Sequence, residues 1–129
     1  MHRTRIGTLV IDCHDLRRGI DFWCAALGVD EISGDPATET YVSLGPVAGG
    51  LRLLLQRVPE AKTAKSRLHL DIETDDVTAE TARLVALGAT VVEAQDEVLL
   101  DPNGNEFCVV SPETPGFPAG TTVWDDGST

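Results

Sequence analysis

The feature that most constrains this chain is that it says the same thing twice. Leu9-Val10-Ile11-Asp12 is answered by Leu68-His69-Leu70-Asp71, and Ala26-Leu27-Gly28 by Ala86-Leu87-Gly88 sixty positions later. The element order repeats with the letters. Residues 6–13 are rich in Ile, Leu and Val and predict a mostly buried strand. Asp15 offers an N-cap, and Leu16, Ile20, Trp23 and Leu27, with Phe22, Ala25 and Ala26 beside them, give a helix with a broad apolar face. Gly28 stops it as a C′ glycine. Residues 29–33, 38–44 and 51–58 predict three further strands, with a turn at Gly34-Asp35-Pro36 and a connection over residues 45–50. A polar link, residues 59–67, has no apolar period. The order then recurs: a strand at 68–73, and a helix opened by Asp75-Asp76 with Val77, Ala79 or Glu80, Leu84 and Leu87 on one face. Gly88 ends that helix, and strands follow at 89–94, 97–100 and 106–110, the last after the turn Asp101-Pro102-Asn103-Gly104.

Two copies of β-α-β-β-β imply paired modules and not a solenoid. Each module has one helix for four strands, so one sheet face is covered and the other is left open. The expected fold is α+β: two βαβββ modules forming paired curved mixed sheets around a cavity between their open faces. Residues 1–111 read as one domain, with module 1 at about 6–58, module 2 at about 68–111, and an extended tail at 112–129. Phe117 and Trp124 are the tail's aromatic anchors.

The second module's first strand carries the most telling residues. His69 and Asp71 fall on one face, with Leu68, Leu70 and Ile72 on the other. An imidazole and a carboxylate two residues apart therefore look into one space, where His69 can bind a ligand, act as a base or hold a metal. Asp71 can orient it. Asp12 repeats Asp71 without a histidine, which points to a structural role common to both modules. Cys108 reads as a small buried residue in preference to a nucleophile. Trp23 packs under the sheet or edges a pocket. Glu93, Asp96 and Glu97 read as a solvated face.

Composition narrows the partners. A formal net charge of −11 repels phosphate backbones and argues against nucleic acid. No apolar run approaches the ~20 residues of a membrane span. Three scattered cysteines without CxxC spacing suit reduced thiols and, with no signal-like segment, a cytoplasmic setting.

Four stretches in order carry a family resemblance. They are Asp15-Leu16-Arg17-Arg18-Gly19-Ile20-Asp21-Phe22-Trp23 with Leu27-Gly28, Leu68-His69-Leu70-Asp71-Ile72, Leu84-Val85-Ala86-Leu87-Gly88-Ala89, and Asp101-Pro102-Asn103-Gly104-Asn105-Glu106-Phe107. Over residues 6–111 the chain resembles the vicinal oxygen chelate superfamily, the glyoxalase, bleomycin-resistance and dioxygenase group. Gln56-Arg57-Val58-Pro59-Glu60 resembles its glyoxalase-like branch. The resemblance implies a cavity for a small organic molecule and a homodimer. In metal-using members it also implies ligands on the first and last strands of each module. Those positions fall here on Thr8, Gln56, His69 and Cys108. Thr8 and Gln56 are weak donors for the divalent metals concerned, zinc, nickel, manganese or iron. The expectation is therefore a protein that binds a small organic molecule without the usual metal. Its ligand-binding residues would be Thr8, Gln56, His69, Asp71, Cys108 and Trp23. If it is catalytic, His69 is the acid/base with Glu106 as partner or base. Should a metal be present, His69, Cys108 and Glu106 would hold it. The alternatives are a metal-dependent lyase, isomerase or dioxygenase-type enzyme, and a drug-sequestering protein of the bleomycin-resistance kind.

Overall fold

A computed structural model describes residues 1–45, 47, 50–92 and 97–125. Module 1 comprises β1 (Leu9–Cys13), α1 (Leu16–Leu27), β2 (Ile32–Ser33), β3 (Tyr41–Leu44) and β4 (Leu53–Arg57). Module 2 comprises β5 (Leu70–Glu73), α2 (Val77–Leu87), β6 (Thr90–Val91), β7 (Val98–Leu100) and β8 (Glu106–Val110). Each forms its own mixed sheet, in the orders β1-β4-β3-β2 and β5-β8-β7-β6. In both, the first strand lies parallel to the last, and the remaining pairs are antiparallel. This is the α+β two-module architecture that the repeat predicts.

The strands are shorter than their apolar runs. The first begins at Leu9 because its partner begins at Leu53, so residues 6–8 lie beyond the paired ladder. β5 likewise begins at Leu70, opposite Phe107, which leaves Leu68 81% exposed. The strand expected at 89–94 is the two-residue β6, and residues 93 and 94 lie outside the described residues, as do Glu93 and Asp96 of the expected acidic face.

Both helices start and stop as their sequences dictate. The Asp15 carboxylate accepts from the Arg18 N–H at 3.1 Å, and that of Asp76 from the Ala79 N–H at 3.0 Å. Gly28 takes φ 71°, a conformation that costs glycine little. On α1 the buried side is Leu16, Gly19, Ile20, Phe22, Trp23 and Ala26. On α2 it is Glu80 and Leu84, and the choice between Ala79 and Glu80 falls on the glutamate. Glu80 is tolerated inside because Arg83 meets both of its oxygens, at 2.6 and 3.0 Å.

The covered faces of both sheets and the two helices share one core. Phe22, Trp23 and Phe107 meet edge-on or tilted, with centroids 5.1–5.9 Å apart. Leu53 and Leu55 from β4, Leu84 from α2, and Leu99 and Val109 from module 2 join them. Each such side chain contributes roughly 1.5–3 kcal/mol by leaving water.

Module 2 also grips α1 at both ends. The Asn103 side chain accepts from the Asp15 N–H at 2.7 Å and donates to the Asp15 carbonyl at 3.0 Å. Arg83 donates to the carbonyls of Ala25 and Ala26 at 3.3 and 2.8 Å, where helix carbonyls lack partners. The turn supplying Asn103 is built on Asp101, 3% exposed. Its carboxylate accepts from the Trp23 indole at 2.9 Å, the Asn103 and Asn105 N–H groups at 2.8 and 3.0 Å, and the Asn105 amide at 3.2 Å.

The helix-covered faces thus lie inward, and the open faces lie outward. Val10 and Tyr41 on the open face of module 1 are 46% and 51% exposed. Two cavities flank these faces, and neither is bounded by strands of both sheets. Among the described residues the open faces stand exposed on either side of a shared core, because the aromatic cluster joins the modules through their helices.

Candidate functional site

Strand register fixes which side chains reach each open face. In module 1, Val10 lies opposite Leu54 and Asp12 opposite Gln56, with Tyr41 opposite Gln56 on the other side. In module 2, Asp71 lies opposite Cys108 and Val98 flanks Cys108. The two modules superpose in register through Leu9–Leu53 and Leu70–Phe107. Thr8 precedes β1 as His69 precedes β5, so those two are equivalent, and Val10 is the mate of Asp71 in place of the Asp12 that the repeated letters suggest. The residue equivalent to Cys108 is then Leu54, one position after Leu53, and Gln56 sits two residues farther along the strand.

Module 2 gathers a polar cluster on this face. The His69 Nε2 lies 3.2 Å from an Asp71 carboxylate oxygen, and both side chains are about half exposed. Ligand atoms of His69, Asp71 and Cys108 all fall within 4.8 Å of one another. Cys108 is half-buried. Burial pushes its thiol above the usual range, and the charges of Asp71 and Glu97 add to this. It is therefore a poor free nucleophile, as the sequence suggests.

Glu106 does not join the cluster in the expected role. One of its oxygens accepts from Lys62 Nζ at 2.7 Å and the other from the Ser66 N–H at 3.0 Å. Burial alone would raise its carboxyl, but these donors overcome burial and hold it down at about 2. A carboxylate so weakly basic, with both oxygens engaged, is neither a good general base nor a partner for His69. It ties the link between modules to β8. Asp71 is the carboxylate at the histidine.

Of two other expected residues, one moves and one stays. Trp23, 1% exposed and bonded to Asp101, belongs to the core and not to a ligand face. Gln56 is on the open face, where its amide donates to the Tyr41 hydroxyl at 3.2 Å. The four-strand metal set implied by the family resemblance does not fit these residues. Module 1 presents the Thr8 hydroxyl, the Leu54 side chain and, farther along, the Gln56 amide, none of them a strong ligand.

The tail is also held at a point its aromatic anchors do not mark. The Glu73 carboxylate accepts from the Glu113 and Thr114 N–H groups at 2.5 and 2.7 Å, and from the Thr114 hydroxyl. Those donors, the hydroxyl first, hold its carboxyl below the usual range. A cavity of about 400 Å³ opens between this strap and the sheet, lined by Asp71, Glu73, Val110, Glu113, Thr114 and Pro115. The visible signal was only an acidic residue at the exposed end of β5. A second cavity of about 260 Å³ lies by Asp12, His14, Lys62 and Asn105.

A two-module α+β scaffold with paired four-stranded sheets and a polar cluster on one open face is the class of protein defined so far. The sequence profile of the Glyoxalase-like domain matches residues 8–110, and the chain belongs to that family, within the vicinal oxygen chelate superfamily. No curated protein matches the sequence. Solved structures share the fold at low identity. The fosfomycin resistance protein FosX of Listeria monocytogenes is 16% identical with a TM-score of 0.66, over 85% of this chain and 93% of that one. Trypanothione-dependent glyoxalase I of Leishmania major is 23% identical with a TM-score of 0.62, over 84% and 87%. A glyoxalase-related enzyme from Fulvimarina pelagi is 17% identical with a TM-score of 0.65, over 95% and 99%. No helix among the described residues is long and apolar enough to cross a membrane.

Proposed function

We propose that this protein binds a small organic molecule against its open sheet faces, without the four-strand metal set, and does so as a homodimer. The observation that carries the reading is the His69–Asp71–Cys108 cluster. It stands on a half-exposed face, contributes nothing to the core, and shares Asp71 with the 400 Å³ cavity. Ligand sites have this character: a concave surface with a few convergent polar groups. The net charge of −11 and the carboxylate of Asp71 favour a ligand bearing a cationic or hydrogen-bond-donating group. The dimer follows from the same faces. Val10, Leu54 and Tyr41 make the open side of module 1 largely apolar, and a second copy would cover it and close the pocket. Three free thiols suit a cytoplasmic setting.

The test is a thermal-shift and equilibrium-dialysis screen of small organic cations beside matched neutral isosteres, run with chelator present. Cations should raise the melting temperature more than their isosteres do. His69→Ala and Asp71→Asn should weaken binding about tenfold while sedimentation still reports a dimer. A screen in which both variants bind like wild type would remove the site from consideration.

One observation favours a catalytic version. An imidazole held 3.2 Å from a carboxylate and open to solvent is an arrangement for proton transfer. On that version a bound compound turns over, and His69→Ala abolishes product while leaving measurable binding.

A further inference from the structure

We propose that the 260 Å³ cavity beside the end of β1 binds a short aliphatic amine as its ammonium, with the carboxylates of Asp12 and Glu60 as acceptors. This site is separate from the ligand face of module 2 and does not depend on it. The internal repeat supplies the reason. The register that sets Leu9 against Leu53 and Leu70 against Phe107 makes Asp12 the counterpart of Glu73. Continued past β4 and β8, the same count makes Pro59 and Glu60 the counterparts of Glu113 and Thr114. In module 2 the chain itself satisfies the carboxylate at this place. The Glu113 N–H, the Thr114 N–H and the Thr114 hydroxyl all donate to Glu73. Module 1 lacks two of those three donors. Proline has no N–H, and Glu60 puts a carboxylate where Thr114 has a hydroxyl. Among the described residues no hydrogen bond reaches the Asp12 or Glu60 carboxylate, and both side chains line the cavity. The donors that module 2 supplies from its own tail must come to module 1 from a ligand.

The rest of the wall selects the ligand. Lys62 also lines the cavity, but its ammonium lies 2.7 Å from Glu106 and leaves the other two carboxylates uncompensated. The Asn103 and Asn105 amides are bonded to Asp15 and to the Asp12 carbonyl, which fixes the wall before a ligand arrives. Val58 and Ala61 give an apolar patch for methylene groups, and His14 and Thr63 add further acceptors. No Phe, Tyr or Trp among the described residues lines the cavity, so a cation without N–H groups gains neither a ring face nor a hydrogen bond there. At about 30 Å³ for a group the size of water, the volume holds roughly eight or nine non-hydrogen atoms. Among the described residues, Asp12, His14 and Glu60 do not gather as His69, Asp71 and Cys108 do, which suits an extended molecule over a single ion.

The probe is 1,4-diaminobutane, titrated into the full-length protein at low salt and followed by backbone amide NMR shifts. Saturable shifts should centre on residues 12–14 and 58–63, with binding about tenfold tighter than that of 1,4-butanediol or tetramethylammonium. Asp12→Asn should weaken binding about tenfold, and Glu60→Thr, which restores the hydroxyl that module 2 uses, about as much. Asp71→Asn, at the other cavity, should change it less than about twofold. Circular dichroism confirms that each variant is folded. Absence of saturable shifts, equal binding of the diol or the quaternary ion, or an Asp12→Asn or Glu60→Thr protein that binds like wild type would overturn the proposal. So would an effect of Asp71→Asn equal to that of Asp12→Asn. The module 2 screen reads His69 and Asp71 and this titration reads Asp12 and Glu60, so either can fail without the other.

Discussion

Module 1 and module 2 agree on one side of their sheets and differ on the other. Facing the core, Leu9 answers Leu70, Ile11 answers Ile72, Leu53 answers Phe107 and Leu55 answers Val109. On the open side, Thr8 answers His69, Val10 answers Asp71 and Leu54 answers Cys108. A strand alternates its side chains, so packing constrains every second residue and leaves the others to vary. Each polar replacement in module 2 lies at a position that packing does not fix. The modules differ in a second way. Module 2 holds module 1, through Asn103 at the start of α1 and Arg83 at its end, so the pair is not structurally symmetric.

The largest expected effect tests that second difference. Asp101→Ala leaves the Trp23 indole and two backbone N–H groups buried without an acceptor, and detaches the turn from α1. Urea denaturation should show a loss of about 3–5 kcal/mol. A loss below about 1 kcal/mol would mean that the turn is not what joins the modules.

A smaller effect concerns the link between them. The Glu106 carboxyl is lower in the folded protein, at about 2 against an ordinary 4.5, so its contribution is full above pH 4.5 and is lost as pH falls toward 2. Glu106→Gln should lower stability by roughly 1–3 kcal/mol at pH 7 and flatten the decline over that acid window. Glu73, lowered by Thr114 and Glu113, titrates in the same direction, so some acid sensitivity should persist in the variant. A variant as acid-sensitive as wild type would place the loss elsewhere.

The smallest effect tests the open faces themselves. His69→Ala and Asp71→Asn should each change stability by no more than about 0.5 kcal/mol, since both side chains are about half exposed. Thermal melts of the two variants, without added ligand or metal, would show it. A large loss would return the pair to a structural role, like the one the sequence suggests for Asp12.

The architecture was legible because its signals are local and doubled. The Asp15 and Asp76 caps, the Gly28 and Gly88 stops and the apolar stripe of α1 each state a physical requirement within a few residues. The alternation at His69 and Asp71 likewise revealed their shared face. What the sequence hid was distance. Lys62 and Ser66 meet Glu106 across forty or more residues only through the fold, and no spacing rule foresees it. Trp23 looked available because an indole suits a pocket as well as a core, and Asp101, seventy-eight residues away, decides the matter. The choice between Gln56 and Leu54 as the mate of Cys108 needed the ladder register, which differs by two residues from a count by motif.

The two tryptophans end in very different surroundings. Trp23 is sealed in the core on Asp101, while Trp124 is 40% exposed and lies under the Arg83 guanidinium, 3.8 Å from its ring centroid. A soluble quencher such as acrylamide reaches the second indole and not the first. The chain therefore carries two optical reporters of separate events. Trp124 emission records the release of the tail from α2, and Trp23 emission records the melting of the core. One titration, resolved by quencher, can place strap release and unfolding on the same axis without any added label.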